Sequence, residues 1–235
     1  MIKKILLGAI AVFLSASASF AVTTYVMDSP TTNILNYGSY DISFRFFSDG
    51  GVHTRVDFGV FKLLNVGVSW ELDQFLGNSD IKSAAPSLSV KFKIYEGDMK
   101  WPGIAIGYDG QGYFFDSRAD GDYLQRGKGI YLVVGRELFF EGLVLDAGLN
   151  MDNFANPRIC GFLNAIIPVY KESIFFMAEY DNINYFPKAR LNFGVRLVLT
   201  QAIDIDFVIR DCWGKNAADK VPNERVFKVN YTGKF

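Results

Sequence analysis

The sequence has little of what most enzymes and metal proteins use. It contains one histidine and two cysteines among 235 residues, too few for a zinc site with ordinary ligand spacing. Proline is scarce and no low-complexity linker interrupts the chain, so we see no domain boundary. Beyond the N-terminus no apolar run approaches the length of a membrane-spanning helix. We therefore expect one main domain that holds no metal and no other cofactor.

The N-terminus has the pattern of a secretory signal peptide. Lys3 and Lys4 precede an apolar run of about ten residues, and Ser19 and Ala21 are the small residues of a cleavage site. Cleavage after Ala21 leaves 22 basic residues against 25 acidic ones. That balance provides no polybasic surface for nucleic acid. We expect an exported protein that does not bind nucleic acid.

Half of the residues are hydrophobic, and alternation spreads them along the chain. In the last ten residues Phe227, Val229, Tyr231 and Phe235 alternate with polar residues. This period of two is typical of a β-strand with one apolar face. Nine further stretches show the same alternation, and two less regular ones at 129–139 and 158–168 bring the predicted strands to about twelve.

Numbered from the N-terminus, the gaps between these strands are asymmetric in length. The odd-numbered gaps, which include all the long ones, are at 48–51, 73–86, 110–127, 152–157, 182–187 and 211–224. The even-numbered gaps are at 62–63, 96–102, 140–142, 169–172 and 200–202. An outer-membrane barrel has longer extracellular loops, short periplasmic turns and an even number of strands. We predict an all-β, transmembrane antiparallel up-and-down β-barrel in the outer membrane of a diderm bacterium.

This fold divides the chain into three parts: a signal peptide at 1–21, a short periplasmic segment at 22–36 and the barrel at 37–235. A strand in lipid must pair all its backbone groups, so the last strand must close onto the first. The terminal Phe235, with Tyr231 four residues earlier, is similar to the signal that barrel-assembly machinery recognises. Outer-membrane lipid and that machinery are the expected partners. A soluble β-sandwich or lipocalin-like barrel remains the alternative, because alternation alone does not tell inside from outside.

The polar face of the predicted strands carries charges of both signs. We assign them to the lumen as a hypothetical pore lining: Arg45, Arg55, Asp57, Glu71, Lys91, Lys93, Asp146, Glu179, Arg190, Arg196, Asp204, Asp206 and Arg210. They could line a narrow passive pore or export accessory for small polar or saccharide solutes. They could also pair across the interior and close it, leaving a structural barrel that acts through its extracellular loops. A barrel of twelve strands is compatible with either interpretation.

Three segments resemble a known family. GVHTRVDFGV at 51–60, WPGIAIGYDGQGYF at 101–114 and MAEYD at 177–181 are similar to segments of the YjbH-like outer-membrane proteins. The resemblance implies a β-barrel linked to exopolysaccharide production, and it brings no catalytic residues.

Other candidate sites are weaker. His53, with Ser43 and Ser48 nearby, does not define a catalytic triad, and we expect no enzyme. Asp116, Asp120 and Asp122 lack the EF-hand spacing for Ca²⁺. Cys160 and Cys212 fall three strands apart, roughly 14 Å at the usual strand separation, so two free thiols are favoured over a disulfide.

Overall fold

The computed structural model describes residues 24–98, 100–116, 122–138, 142–152, 154–155, 157–171, 173–212 and 223–235. The predicted signal peptide lies outside these residues. No helix among the described residues is long and apolar enough to cross a membrane.

Fifteen β-strands and two short 3₁₀ turns make up the described chain. The strands are β1 (Ser39–Phe47), β2 (Gly51–Phe61), β3 (Leu64–Asp73), β4 (Lys82–Ser83), β5 (Ser87–Tyr95), β6 (Gly103–Asp109), β7 (Tyr113–Asp116), β8 (Asp122–Gln125), β9 (Gly129–Glu137), β10 (Val144–Met151), β11 (Ile159–Tyr170), β12 (Ile174–Asp181), β13 (Arg190–Val198), β14 (Ile203–Arg210) and β15 (Glu224–Lys234).

Twelve of these strands form a closed barrel. With β4, β7 and β8 left out, each strand lies beside the next one in chain order. The last strand, β15, pairs antiparallel with β1 from Ser39 opposite Lys234 to Phe46 opposite Phe227. Among the described residues, β9 and β10 share a single bridge, Gly129 with Met151, beside the backbone hydrogen bond from Leu138 to Leu143 at their turn. The predicted closure of the last strand onto the first is confirmed.

The barrel has the polarity of a membrane protein. On β14, Asp206 is fully buried and Arg210 is 2% exposed, whereas Phe207 and Ile209 on the opposite face are 52% and 46% exposed. Most other barrel strands show the same inversion, whereas the inner faces of β9 and β11 carry Tyr131, Val133, Phe162 and Ile166. A soluble barrel would bury the apolar set. The transmembrane β-barrel is therefore the fold, and the soluble alternative is excluded.

The connections also follow the predicted alternation. Residues 62–63, 96–102, 138–143, 171–173 and 199–202 join strands at the end that carries Phe235, which we call the turn end. The other connections, which include all the longest ones, leave the opposite end, which we call the loop end. The turn end of an outer-membrane barrel faces the periplasm.

Candidate functional site

The N-terminal residues lie inside the barrel. We predicted 22–36 as a short periplasmic segment, but the structure places residues 24–36, here called the plug, within the lumen. Val26, Ser29 and Thr31 are fully buried. The bridge between Tyr25 and Pro30 and the hydrogen bond from Val26 N to Ser29 O (3.0 Å) fold the plug into a tight hairpin with its tip at 26–29.

A carboxylate at the tip lies between two arginines of the barrel wall. Arg45 donates from Nη2 to Asp28 Oδ1 at 2.8 Å, and Arg210 donates from Nε to Asp28 Oδ2 at 2.8 Å. Arg45 also donates to the carbonyl oxygen of Met27 at 2.8 Å. We call Arg45, Arg210 and Asp28 the arginine clamp.

The clamp keeps Asp28 ionised. Burial alone would raise the pKa of this carboxyl, but Arg210 and Arg45 outweigh it and hold the pKa well below its usual range. Breaking such a pair by removing one partner leaves an uncompensated buried charge. The tip is therefore held in the lumen by charge and by apolar packing, because Val26 and Met27 lie in a buried cluster with Phe47, Ile166, Met177, Val208 and Val226.

The backbone of the tip binds a second wall residue. The amides of Asp28 and Ser29 both donate to Glu179 Oε2, at 3.0 and 2.8 Å. Asn192 donates to the other oxygen, Oε1, at 2.8 Å. Asp28 thus contacts a positive and a negative wall group at once, through its carboxylate and its amide.

The stem of the plug, which is residues 24–25 and 30–36, contacts β5 and β2. Lys91 donates from Nζ to the carbonyl oxygens of Thr24 (2.6 Å), Thr31 (3.2 Å) and Asn33 (3.2 Å). The ring of Tyr25 lies 4.2 Å from the guanidinium carbon of Arg55 and 4.8 Å from Lys91 Nζ. Both are cation–π distances, so basic residues hold both strands of the hairpin.

The other side of the plug faces β10 and β11. Thr32 donates to Asp146 Oδ1 from its amide (3.0 Å) and its hydroxyl (3.2 Å). Asn164 donates to the carbonyl oxygen of Pro30 at 3.0 Å. Wall side chains therefore satisfy polar groups along the whole hairpin, as a buried backbone requires.

A glycine lets the plug pass close to β2. A Cβ atom built on Gly59 would lie 2.0 Å from the carbonyl oxygen of Asn36 and 3.0 Å from that of Leu35. Gly38 also donates its amide to the Gly59 carbonyl at 2.9 Å. Any larger residue at 59 would collide with the plug where it enters the barrel.

A second segment folds inward from the loop end. The β7–β8 hairpin belongs to the predicted extracellular gap 110–127, yet the ring of Tyr113 lies 4.7 Å from the guanidinium carbon of Arg45 and 4.5 Å from that of Arg210. Gln125 accepts a hydrogen bond from Arg210 at 2.8 Å. Burial raises the pKa of Tyr113 to about 12 against the effect of Arg45, so the phenol is neutral. The clamp therefore contacts both inserted segments.

All thirteen residues of the predicted lumen set lie on the inner face and are at least nine-tenths buried. Six contact the plug: Arg45, Arg55, Lys91, Asp146, Glu179 and Arg210. The others bind the wall, its turns or the inward hairpin: Arg196 with Asp206 and Asp204, Arg190 with Asp181, Lys93 with Glu96, Asp57 with Ser89, and Glu71 with the amide of Phe115. Their role as a pore lining stays a prediction.

Sequence reasoning missed several inner charges. Asp41, Asp109, Asp181, Glu224 and Lys228 follow the same alternation, so strand parity could have found them. Asp28 and Tyr25 belong to no strand of the barrel wall. No periodic signal identifies them in the sequence.

The spaces around the plug are of very different sizes. Two cavities beside Tyr25 have volumes of about 20 and 10 Å³, when a single water needs roughly 10–15 Å³. At the turn end a pocket of about 700 Å³ lies between Thr32, Asn33, Lys93 and the turns at 96–102 and 138–143. A small solute fits this pocket, which we call the vestibule, but neither of the two cavities beside Tyr25.

The weaker candidates have the following positions. His53 packs against the ring of Tyr113 (6.0 Å between centroids), and Ser48 donates to Glu224 at 3.2 Å. Cys160 and Cys212 are free, so the disulfide alternative is wrong. The side chains of Asp116, Asp120 and Asp122 lie outside those that the structure describes.

The barrel is similar in outline to solved porin structures. It matches a KdgM porin with a TM-score of 0.49 at 8% identity, over 84% of this chain and 99% of that one. It matches the NanC porin with a TM-score of 0.46 at 10% identity, over 83% and 99%. The outer membrane protein Omp33 of Acinetobacter baumannii gives 0.40 at 11% identity, over 86% and 99%. At these scores the likeness adds nothing to the assignment from the barrel's own faces.

No family model matches the sequence, and no curated protein matches it. The resemblance to the YjbH-like proteins stays a prediction.

Proposed function

We propose that the protein is an outer-membrane channel for small polar solutes that rests closed, with its own N-terminal segment as the plug. The arginine clamp supports this most directly, because it holds a charged residue of a separate segment in the lumen. A wall that only needed structural stability could pair its charges within itself, as Arg196 and Asp206 do. The vestibule at the turn end gives a solute access to the plug.

Assembly and location belong to the same proposal. Phe235 donates its amide to the Gly38 carbonyl at 2.9 Å, and its ring lies 6.5 Å from that of Tyr40 and 6.4 Å from that of Phe58. The ring centroid of Tyr231 also lies 6.0 Å from that of Tyr40. These contacts close the barrel at the seam that the assembly machinery would complete. Export through a signal peptide and insertion into outer-membrane lipid are parts of this proposal.

Single-channel conductance of the refolded mature protein in planar bilayers tests the closed channel. Asp28→Asn removes the charge from the clamp, and charged hydrogen bonds contribute about 1.5–3 kcal/mol. We expect the open fraction to rise at least about tenfold, since 1.4 kcal/mol corresponds to a factor of ten. Asp80→Asn, in an exposed connection on the loop end, is the matched control and should behave as wild type.

A non-conducting barrel is the second candidate, because the two cavities beside Tyr25 are so small. A protein lacking residues 24–36 distinguishes the two. If it folds and inserts but shows no conductance, the wall and the β7–β8 hairpin close the barrel by themselves. The loops would then be the functional surface, and a link to saccharide export would be sought there.

A further inference from the structure

The tip of the plug occupies a site with two opposite charges. Asp28 presents its carboxylate to Arg45 and Arg210 and its amide to Glu179. Only the α and β carbons separate these two groups of one aspartate. The wall therefore holds a positive and a negative half at a spacing that a single residue bridges.

The two arginines of the positive half differ in their partners apart from the plug. Arg210 also binds Glu224 and Gln125, and Tyr113 packs on both guanidinium groups. Arg45 depends more on the plug, because Nη2 donates to Met27 and Asp28, and Nη1 has no partner among the described residues. When the plug leaves, Arg45 needs a new acceptor, and a carboxylate is the strongest one available.

The negative half behaves in the complementary way. Glu179 keeps the hydrogen bond from Asn192 on Oε1, while Oε2 loses the two amides of Asp28 and Ser29. A buried acceptor left without donors is costly. An ammonium group can replace both amides, because it carries three N–H donors.

We propose that the open lumen binds zwitterionic amino acids, with the carboxylate between Arg45 and Arg210 and the amino group on Glu179. The inference rests on the proposed function, since it needs the plug to leave. The best fit is a solute whose amino and carboxylate groups are two carbons apart, as in β-alanine and in the side-chain arm of aspartate. In the closed state Asp28 mimics this solute, so solute and plug compete for one site.

Calorimetric titration of the folded, full-length Asp28→Asn protein in nanodiscs tests the site. The probes are β-alanine, propionate, which lacks the ammonium group, and ethylammonium, which lacks the carboxylate. We expect β-alanine to bind at least about tenfold more tightly than either half, because both halves of the site contribute charged hydrogen bonds. Propionate that binds as tightly as β-alanine would overturn the proposal and leave a simple anion site.

Variants in the same background assign the two halves. Glu179→Gln should remove the preference of β-alanine over propionate, and Arg45→Met should weaken both. Arg225→Met, on the exposed face of β15, should change neither. If Glu179→Gln does not fold, the probe comparison in Asp28→Asn alone decides.

Conductance separates the two levels of the proposal. An Asp28→Asn protein that conducts but binds no probe would overturn the zwitterion site and leave the gated channel intact. An Asp28→Asn protein that neither conducts nor binds would overturn both.

Discussion

At the residue scale, the inner wall contains buried ion pairs in which each side chain neutralises the charge of its partner. Arg196 binds Asp206 through two parallel hydrogen bonds, from Nε at 2.6 Å and from Nη2 at 2.7 Å, and it lies 3.3 Å from Asp204. Asn230 donates to both carboxylates as well. Such bidentate pairs are rigid, and this one holds β13 to β14 without any help from the plug.

Removing Arg196 tests whether water is excluded from the carboxylates of Asp204 and Asp206, as their burial indicates. We expect Arg196→Met to lower the free energy of unfolding by about 3–5 kcal/mol, because two buried carboxylates lose their counter-charge. Denaturant unfolding in lipid vesicles measures the change. Arg225→Met on the outer face should stay within about 0.5 kcal/mol.

A small effect of Arg196→Met, below about 1 kcal/mol, would contradict this account. It would mean that water reaches Asp206 readily and that the lumen is wet between β13 and β14. The charges there would then suit a pore lining better than a structural network.

At the scale of elements, the plug differs from the strands in how it is held. The barrel strands pair through ladders of six to nine residue pairs, apart from β9 with β10. The plug is held by polar side chains of seven wall residues, by the apolar cluster around Val26 and Met27, and by one close approach at Gly59. An element held by side chains and not by a ladder of backbone pairs can leave without unfolding the barrel, and this is what a gate requires.

Gly59→Ala tests that separation. The new Cβ would lie 2.0 Å from the Asn36 carbonyl oxygen, so the stem must move although no charge changes. We expect limited proteolysis between residues 24 and 38 to become at least several-fold faster, while the folded barrel keeps its heat-modifiable migration. Gly161→Ala is the matched control, because its nearest atoms lie 3.8–3.9 Å away.

Unchanged proteolysis in Gly59→Ala would show that the stem tolerates displacement without loosening. Loss of the folded form would instead show that plug and barrel are one cooperative unit. Either result would contradict a plug that leaves independently of the barrel.

At the scale of the whole molecule, the sequence predicted the barrel closely because the barrel obeys a simple period. Strand ends differ from the predicted gaps by only a few residues, as with 73–86 predicted and 74–86 observed between β3 and β5. Lipid on one side and charged packing on the other impose the alternation on every strand. The inward position of the charged set follows from the same rule.

The plug could not be predicted in this way. Its contacts join residues far apart in the sequence, such as Asp28 with Arg210 at a separation of 182 and Ser29 with Glu179 at 150. Each is a single hydrogen bond or ion pair with no repeat. The inward turn of the β7–β8 hairpin was missed for the same reason, since nothing in the sequence distinguishes Tyr113 from any other aromatic residue in a loop.

The position of residues 24–36 is the central claim, and hydrogen–deuterium exchange of the folded protein in nanodiscs tests it most directly. The amides of Asp28, Ser29 and Thr32 all donate to buried wall carboxylates. We therefore expect them to exchange at least about a hundredfold more slowly than the same residues in a free peptide, because release of the plug breaks the ion pairs of the arginine clamp. Exchange at the free-peptide rate, with the strands still protected, would place the segment outside the barrel and contradict the account.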